Sequence, residues 1–389
     1  MSVAVRLPDP KVRLTLAQLA QMQKGAARHL TFNLTLACPL RCAHCIVDAG
    51  PDKGSTTMPI EVARRYAGQM ADLAAYGIRA ISFTGGEPLL ARDQLQVMSD
   101  AAGAAGLTSG VVTAAHWAYD ETSAAKIVGR YPGIQIWDIS TDIYHTPFVA
   151  KENVSRAYEA ARRLGRTATI RFTYHDPPTE EDERMLSWVG TFADPEDVCS
   201  QRVRKVGRGL DLGLGDSEKY HPWNKPCITQ GLVVRYDGSV APCCVNLVEE
   251  RRHPFDVGDP RLRLLSDVHR DYMSLPLLQM IRVVGFLDVV RWVQDADLEA
   301  ELRRPLPDDV CDLCPQLLTN DRVAAYLVNR AGAPENRLRI AVLASRLLDE
   351  HALLRRTIEE LGAHAGEIEG FADAAALLQS LDDPGNGNP

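Results

Sequence analysis

Cys38, Cys42 and Cys45 place three thiols within eight residues. A closed structural zinc site takes four protein ligands in a tetrahedron. His44 lies between two of these cysteines, an awkward place for a fourth ligand. A four-iron cluster held by three thiolates instead leaves one iron open to a further ligand. A second set is spread along the chain: Cys227, ten residues, Gly238, four residues, Cys243, and then Cys311 and Cys314 two residues apart. Four thiols can close a site around either zinc or a cluster. Cys199 and Cys244 belong to neither set. Each reads as an inert buried thiol, a spare ligand, or a candidate catalytic thiol, with Cys244 the favoured one.

The chain around these thiols has 389 residues, 46% hydrophobic and 24% charged, which suits a globular protein of two or three domains. Its net charge of −8 argues against nucleic acid or an anionic membrane as the main partner. Residues 1–23 show no apolar core with a basic start and a cleavage site. The most apolar stretch, Leu275 to Val293, is interrupted by Arg282, Asp288 and Arg291. The expected location is therefore cytoplasmic, where clustered cysteines point to metal or redox chemistry rather than disulfides.

Positioning the triplet requires a scaffold, and the first half of the chain supplies a repeating one. Leu30, Phe32, Leu34 and Leu36 alternate with Thr31, Asn33 and Thr35, a strand period over 29–36. A helix is expected over 59–76, opened by Pro59 and closed by Gly77. Strands follow at 80–83, 109–113, 134–139 and 167–172, with a sixth at 201–206. Helices intervene at 93–105, 121–128 and 152–164, and another at 180–189 is capped by Thr179 with Asp182. Six strands with crossover helices predict an α/β fold, a parallel sheet that is open or closed into a partial barrel.

Ligands of such folds sit at the carboxyl ends of the strands. The cysteine triplet follows strand one and Gly85-Gly86-Glu87 follows strand two. His116 and Trp117 follow strand three; Tyr144 and His145 follow strand four; Tyr174 and His175 follow strand five. These six are the substrate-binding candidates.

The triplet, with the ring of His44 just before its last cysteine, resembles the signature of radical S-adenosylmethionine (radical SAM) enzymes. Gly85-Gly86-Glu87 resembles their GGE segment. The resemblance, over about residues 29–210, implies a partial (β/α)6 barrel and a four-iron, four-sulfur cluster on Cys38, Cys42 and Cys45. It also implies S-adenosylmethionine bound by the open iron, with His44 near the adenine and the Gly85–Glu87 segment at the amino group. Ser140 and Asp142 resemble ribose-contacting positions, and Arg204 lies in a segment resembling the sixth strand of related enzymes. The second cysteine set resembles the auxiliary-cluster module called SPASM in its shortened twitch form. One auxiliary four-iron cluster on Cys227, Cys243, Cys311 and Cys314 is thereby implied, with structural zinc as the alternative.

The implied organisation is an extension over 1–28, the barrel over 29–212, and a twitch-like domain with a helical insertion over 213–320. A helical region over 321–380 and a disordered tail over 381–389 complete it. The implied activity is reductive cleavage of S-adenosylmethionine and hydrogen-atom abstraction from a substrate, with reduced flavodoxin or ferredoxin as donor. The substrate expected is a ribosomally made peptide undergoing cross-linking, oxidation or epimerisation, with a separate leader-binding protein as partner. The alternatives are a small natural-product intermediate such as an aminocyclitol, or a non-catalytic zinc-stabilised scaffold.

Overall fold

The computed structural model describes residues 5, 7, 14–214, 223, 226–227, 231–243, 247, 253–302, 306–307 and 310–382. Its centre is one sheet of eight strands: β1 (His29–Asn33), β2 (Ala80–Thr84), β3 (Thr108–Thr113), β4 (Ile136–Thr141), β5 (Thr167–Tyr174), β6 (Val198–Arg202), β7 (Leu232–Arg235) and β8 (Val240–Ala241). The order is β6-β5-β4-β3-β2-β1-β7-β8. Every pairing is parallel except the β7–β8 hairpin. The fold is thus α/β with a mostly parallel sheet, as the alternation predicts. The hairpin adds to the free edge of β1, so the segment expected to begin a separate domain at 213 continues the barrel sheet.

Alternation along the strands sorts two environments. On β5, Ala168, Ile170 and Phe172 are buried under the outer helices, while Arg171 and Thr173 border the lumen. Phe32, Phe83 and Trp137 are fully buried in the same outer layer. Helix Leu16–Ala26, with a Thr15–Gln18 capping box, supplies Met22, Gly25 and Ala26 to the lumen wall. This helix lies within the segment expected as an extension over 1–28.

Several expected boundaries move. β1 stops at Asn33 rather than Leu36, because the Thr35 hydroxyl accepts from the Ala37 amide and turns the chain out of the ladder. The helix expected over 59–76 is two, Ile60–Ala67 and Met70–Tyr76, divided at Gly68, whose backbone resists helix most. β6 lies three residues earlier than expected, since Gly207 at φ 55 turns the following chain into a 3-10 turn.

The apolar insertion forms helices Pro276–Val283 and Leu287–Asp295, separated by Gly285 at φ 95. The fully buried Arg282 pairs with Glu350 at 2.8 Å, tying this insertion to the carboxyl-terminal helices. Of those helices, Asp321–Gly332 packs into the main core through Val323, Leu327 and Ala331, while Pro334–Leu348, His351–Leu361 and Phe371–Asp382 build a small core of their own around Leu338, Leu354 and Leu361. The last helix runs into the expected tail, of which 383–389 lie outside the described residues. No helix of the described residues is long and apolar enough to cross a membrane.

Candidate functional site

A cavity of about 650 Å3 runs inside the barrel, from His29 and Ala80 at the amino ends of β1 and β2 to the cysteine loop at the carboxyl ends. Cys38, Cys42 and Cys45 all line it, as do His44, Gly85, Gly86, Ser140, His145 and Arg204.

The cysteine loop is held by backbone bonds and one arginine. The Cys38 amide donates to Gly50 (3.1 Å) and the Gly50 amide to Leu36 (3.1 Å). Arg208 donates from Nε to the Cys42 carbonyl (2.9 Å), and from Nη1 to Asp48 (2.6 Å) and the Ala49 carbonyl (2.9 Å). Residues 160 positions apart are thereby joined, a clamp that spacing could not reveal. Burial pushes the Cys38 thiol up to about 12 and the Cys42 thiol higher still. Thiolates in such a place need a cation beside them.

Gly85 and Gly86 are packed against the segment that leads into the triplet. The Gly86 amide donates to Thr35 (2.6 Å) and the Glu87 amide to Ala37 (2.8 Å). A Cβ on Gly85 would overlap the Thr35 carbonyl oxygen, and one on Gly86 the Ala37 carbonyl. Glu87 does not border the cavity. Its fully buried carboxylate accepts from Thr113 Oγ1 (3.0 Å), the Ala114 amide (3.0 Å) and the Leu89 amide (3.2 Å), with His116 Nδ1 at 3.5 Å. It fastens the GGE turn to the end of β3.

Asp142 likewise stands behind the cavity wall. Its carboxylate meets His44 Nε2 (3.1 Å) and His145 Nδ1 (2.8 Å), and accepts from the amides of Tyr144 (2.8 Å) and His145 (3.0 Å). Burial pushes this carboxyl up, but His145 and His44 outweigh it and hold it well below the usual carboxylate range. Opposed terms act on His145 too: burial lowers its pKa, and the Asp142 charge raises it to a net upward shift. Tyr144 stacks on His44 with ring centroids 4.7 Å apart and bonds His175 Nε2 through its hydroxyl (2.6 Å). His175 Nδ1 in turn meets the buried Asp182 at 2.9 Å. A continuous set of side chains, Asp182, His175, Tyr144, His44, Asp142 and His145, therefore fixes the His44 ring. Among the described residues, His44, Asp142 and His145 are also the one trio of His, Cys, Asp or Glu with ligand atoms within 4.8 Å of one another.

Of the six rim candidates, His145 borders the cavity, while Tyr144, His175 and His116 stand behind it. Trp117 and Tyr174 are corrected to core positions. Trp117 is buried against Trp137 at 5.5 Å and donates to Thr113 (2.9 Å); Tyr174 is buried at the end of β5. Cys199 is exposed on the edge strand β6 and does not border the cavity. Cys244 lies outside the described residues. Arg171, Thr173, Gln201 and Arg202 do border it and were missed, although the strand period on β5 would have pointed Arg171 and Thr173 inward.

The second cysteine set also assembles. Cys311 and Cys314 lie one turn apart on helix Val310–Leu318. Burial, then the neighbouring Cys243, Cys227 and Cys311, push the Cys314 thiol well above its usual range. The Cys227 amide donates to Ile281 (2.8 Å), and Gln23 on the amino-terminal helix donates to the Cys227 carbonyl. Arg204 Nη1 donates to Cys311 Sγ at 3.3 Å from the cavity wall.

The residues present suit the groups that the resemblance implies. Three cysteines converge on the cavity, and His44 Nδ1, buried at its wall, has no hydrogen-bond partner among the described residues. Such a polar atom calls for a ligand.

Comparison with known proteins agrees in part. A 65-residue stretch, 16% of this chain, is 43% identical to a probable GTP 3',8-cyclase of Methanocella arvoryzae, of which it spans 20%. Among solved structures, BtrN in complex with AdoMet and 2-DOIA is 16% identical, with a TM-score of 0.40 over 66% of this chain and 87% of that one. HydG, a maturase of the FeFe hydrogenase, is 12% identical, with a TM-score of 0.37 over 98% and 89%. The family model of the radical SAM superfamily matches residues 32–189, which include the cysteine triplet, the GGE turn and Asp142. Residues 32–189 of this chain are thus similar to the radical SAM superfamily.

Proposed function

We propose that the chain is a radical SAM enzyme that abstracts a hydrogen atom from a small substrate inside the barrel. The observation that carries this reading is the shared cavity, which Cys38, Cys42, Cys45, His44 and the Gly85–Gly86 turn line together with polar side chains of the strands. The bound four-iron cluster and S-adenosylmethionine would supply a 5'-deoxyadenosyl radical when one electron from a reduced donor protein breaks a carbon–sulfur bond. Cys38, Cys42 and Cys45 would hold the cluster. Gly85 and Gly86 allow close backbone approach, and His44 offers Nδ1 on the adenine side.

The second cysteine set is read as an auxiliary four-iron cluster of the twitch type. Four protein thiolates suit such a cluster to taking up an electron.

A small substrate is preferred to the expected peptide because the cavity, apolar over most of its lining, reaches His29 and Ser82, bonded at 2.9 Å, at the amino ends of β1 and β2. Cys42→Ala provides the test. After anaerobic reconstitution the wild type should carry about eight irons and form 5'-deoxyadenosine. The variant should lose about half the iron and form none. Retained 5'-deoxyadenosine, or zinc without iron in the wild type, would sink the reading.

A further inference from the structure

Helix Leu16–Ala26 turns three consecutive residues to three different neighbours. Met22 borders the cavity, Gln23 is buried against Cys227 and Arg282, and Lys24 pairs with Asp349 at 2.6 Å. Steps of about 100° per residue around a helix produce this division. The cavity, the second cysteine set and the carboxyl-terminal helices therefore all meet one helix of 11 residues.

Gln23 is 1% exposed, and its Nε2 donates to the carbonyl of Cys227 and to that of Arg282 (3.2 Å). Both neighbours are acceptors, so only the nitrogen end of the amide can face them. The Cys227 amide in turn donates to the Ile281 carbonyl at 2.8 Å. Cys227 is thus held at both of its main-chain polar groups, one by Gln23 and the other by helix Pro276–Val283. Gln23 ties it to the next residue of that same helix. The anchor is itself fixed, because the fully buried Arg282 pairs with Glu350 at 2.8 Å and donates to Gln279 Oε1 at 2.7 Å and to the Gln23 carbonyl at 3.4 Å. Removing the Gln23 amide takes a donor from two carbonyls in a buried place, a loss that a shift of the Cys227 backbone would relieve.

We propose that Gln23 is a positioning residue for the second cysteine set: from the amino-terminal helix it fixes the backbone of Cys227 so that this thiol stays beside the other three. The proposal rests, for its meaning, on the reading of that set as a metal-holding site, but its first readout does not depend on any metal.

The experiment is anaerobic alkylation of the full chain with N-ethylmaleimide, before and after reconstitution with iron and sulfide, with each cysteine followed by mass spectrometry. Before reconstitution, Gln23→Leu should alkylate at Cys227 about tenfold faster than the wild type, as the loss of two hydrogen bonds allows. Cys42, buried in the first set, should keep its wild-type rate. After reconstitution the wild type should protect Cys227 and the variant should not, with Cys38, Cys42 and Cys45 protected in both. A general loosening of the fold would speed Cys42 as well, so equal acceleration at Cys42 and Cys227 overturns the proposal, as does an unchanged rate at Cys227. If Gln23→Leu fails to fold, as judged by its circular dichroism melt, Gln23→Met, which keeps the length and loses both donors, should show the same acceleration. If the variant frees Cys227 as expected and the reconstituted wild type leaves it unprotected, the metal-holding reading of the second set fails and the positioning role stands.

Discussion

Arg204 donates a hydrogen bond to the sulfur of Cys311 at 3.3 Å while bordering the cavity that contains Cys38, Cys42 and Cys45. One guanidinium thus bonds the second cysteine set and borders the cavity of the first. Hydrogen bonds to cluster sulfurs stabilise the more negative, reduced state and raise the reduction potential. If the second cysteine set holds the proposed auxiliary cluster, Arg204→Leu should therefore lower its midpoint potential while leaving the iron content near the wild-type value. Arg204→Lys should restore part of the shift. A potentiometric titration followed by electron paramagnetic resonance reads the result, and identical potentials in all three proteins would dismiss the role.

Gly86 cannot carry a side chain without moving the Ala37 carbonyl, one residue before the triplet. Gly86→Ala is expected to cost about 1–3 kcal/mol, the usual range for overpacking. Because the strain falls on the cysteine loop, iron content should drop along with stability. Denaturant midpoints and iron analysis together check this; a variant with normal iron and normal stability would contradict the packing.

Asp142 acts through His44 and His145. Asp142→Asn keeps one oxygen acceptor and loses the charge that holds both rings. Hydrogen bonds to charged groups contribute about 1.5–3 kcal/mol, so S-adenosylmethionine should bind roughly ten- to a hundredfold more weakly. The turnover rate at saturation should change less than the affinity does. Equal affinity in the two proteins would show that Asp142 does not position the ring.

His269 is buried, bonded through Nδ1 to Tyr76 at 3.3 Å, and its pKa is pulled down to about 4, first by burial and then by the Arg282 charge. The unfolded chain takes up this proton below about pH 6.5, whereas the folded protein holds it off until about 4. Stability present above pH 6.5 is therefore lost as the pH falls toward 4, by about 1 kcal/mol already at pH 5.5. His269→Gln should be less stable at pH 7.5 and yet lose less between pH 7.5 and 5.5. Parallel losses in urea unfolding of the two proteins would disprove this assignment.

Much of this was legible in the chain itself. The alternation of strand and helix is written in local periodicity, and the observed sheet follows it. The thiol spacing and the GGE turn lie on single loops, so covalent distance alone keeps them near one another. The Thr179–Asp182 capping box was readable for the same reason, though the capture of His175 by that same Asp182 was not.

What sequence could not decide is which side of a wall each side chain meets. A shift of one residue at a strand end exchanges lumen for core. That is why Trp117 and Tyr174, read as rim residues, pack in the core, while Arg171 and Gln201, overlooked, border the cavity. Glu87 and Asp142, read as cofactor contacts, have both carboxylates engaged behind the wall, orienting what lines it.

The residue types and spacing of Cys38, Cys42 and Cys45 determined by themselves that three thiols share one short loop, because eight residues cannot separate them far. That Cys311 comes to lie against Arg204, 107 positions away, was decided by tertiary structure. So was the addition of β7 beside β1. Contacts at such separations depend on how whole elements pack, and no local period encodes them.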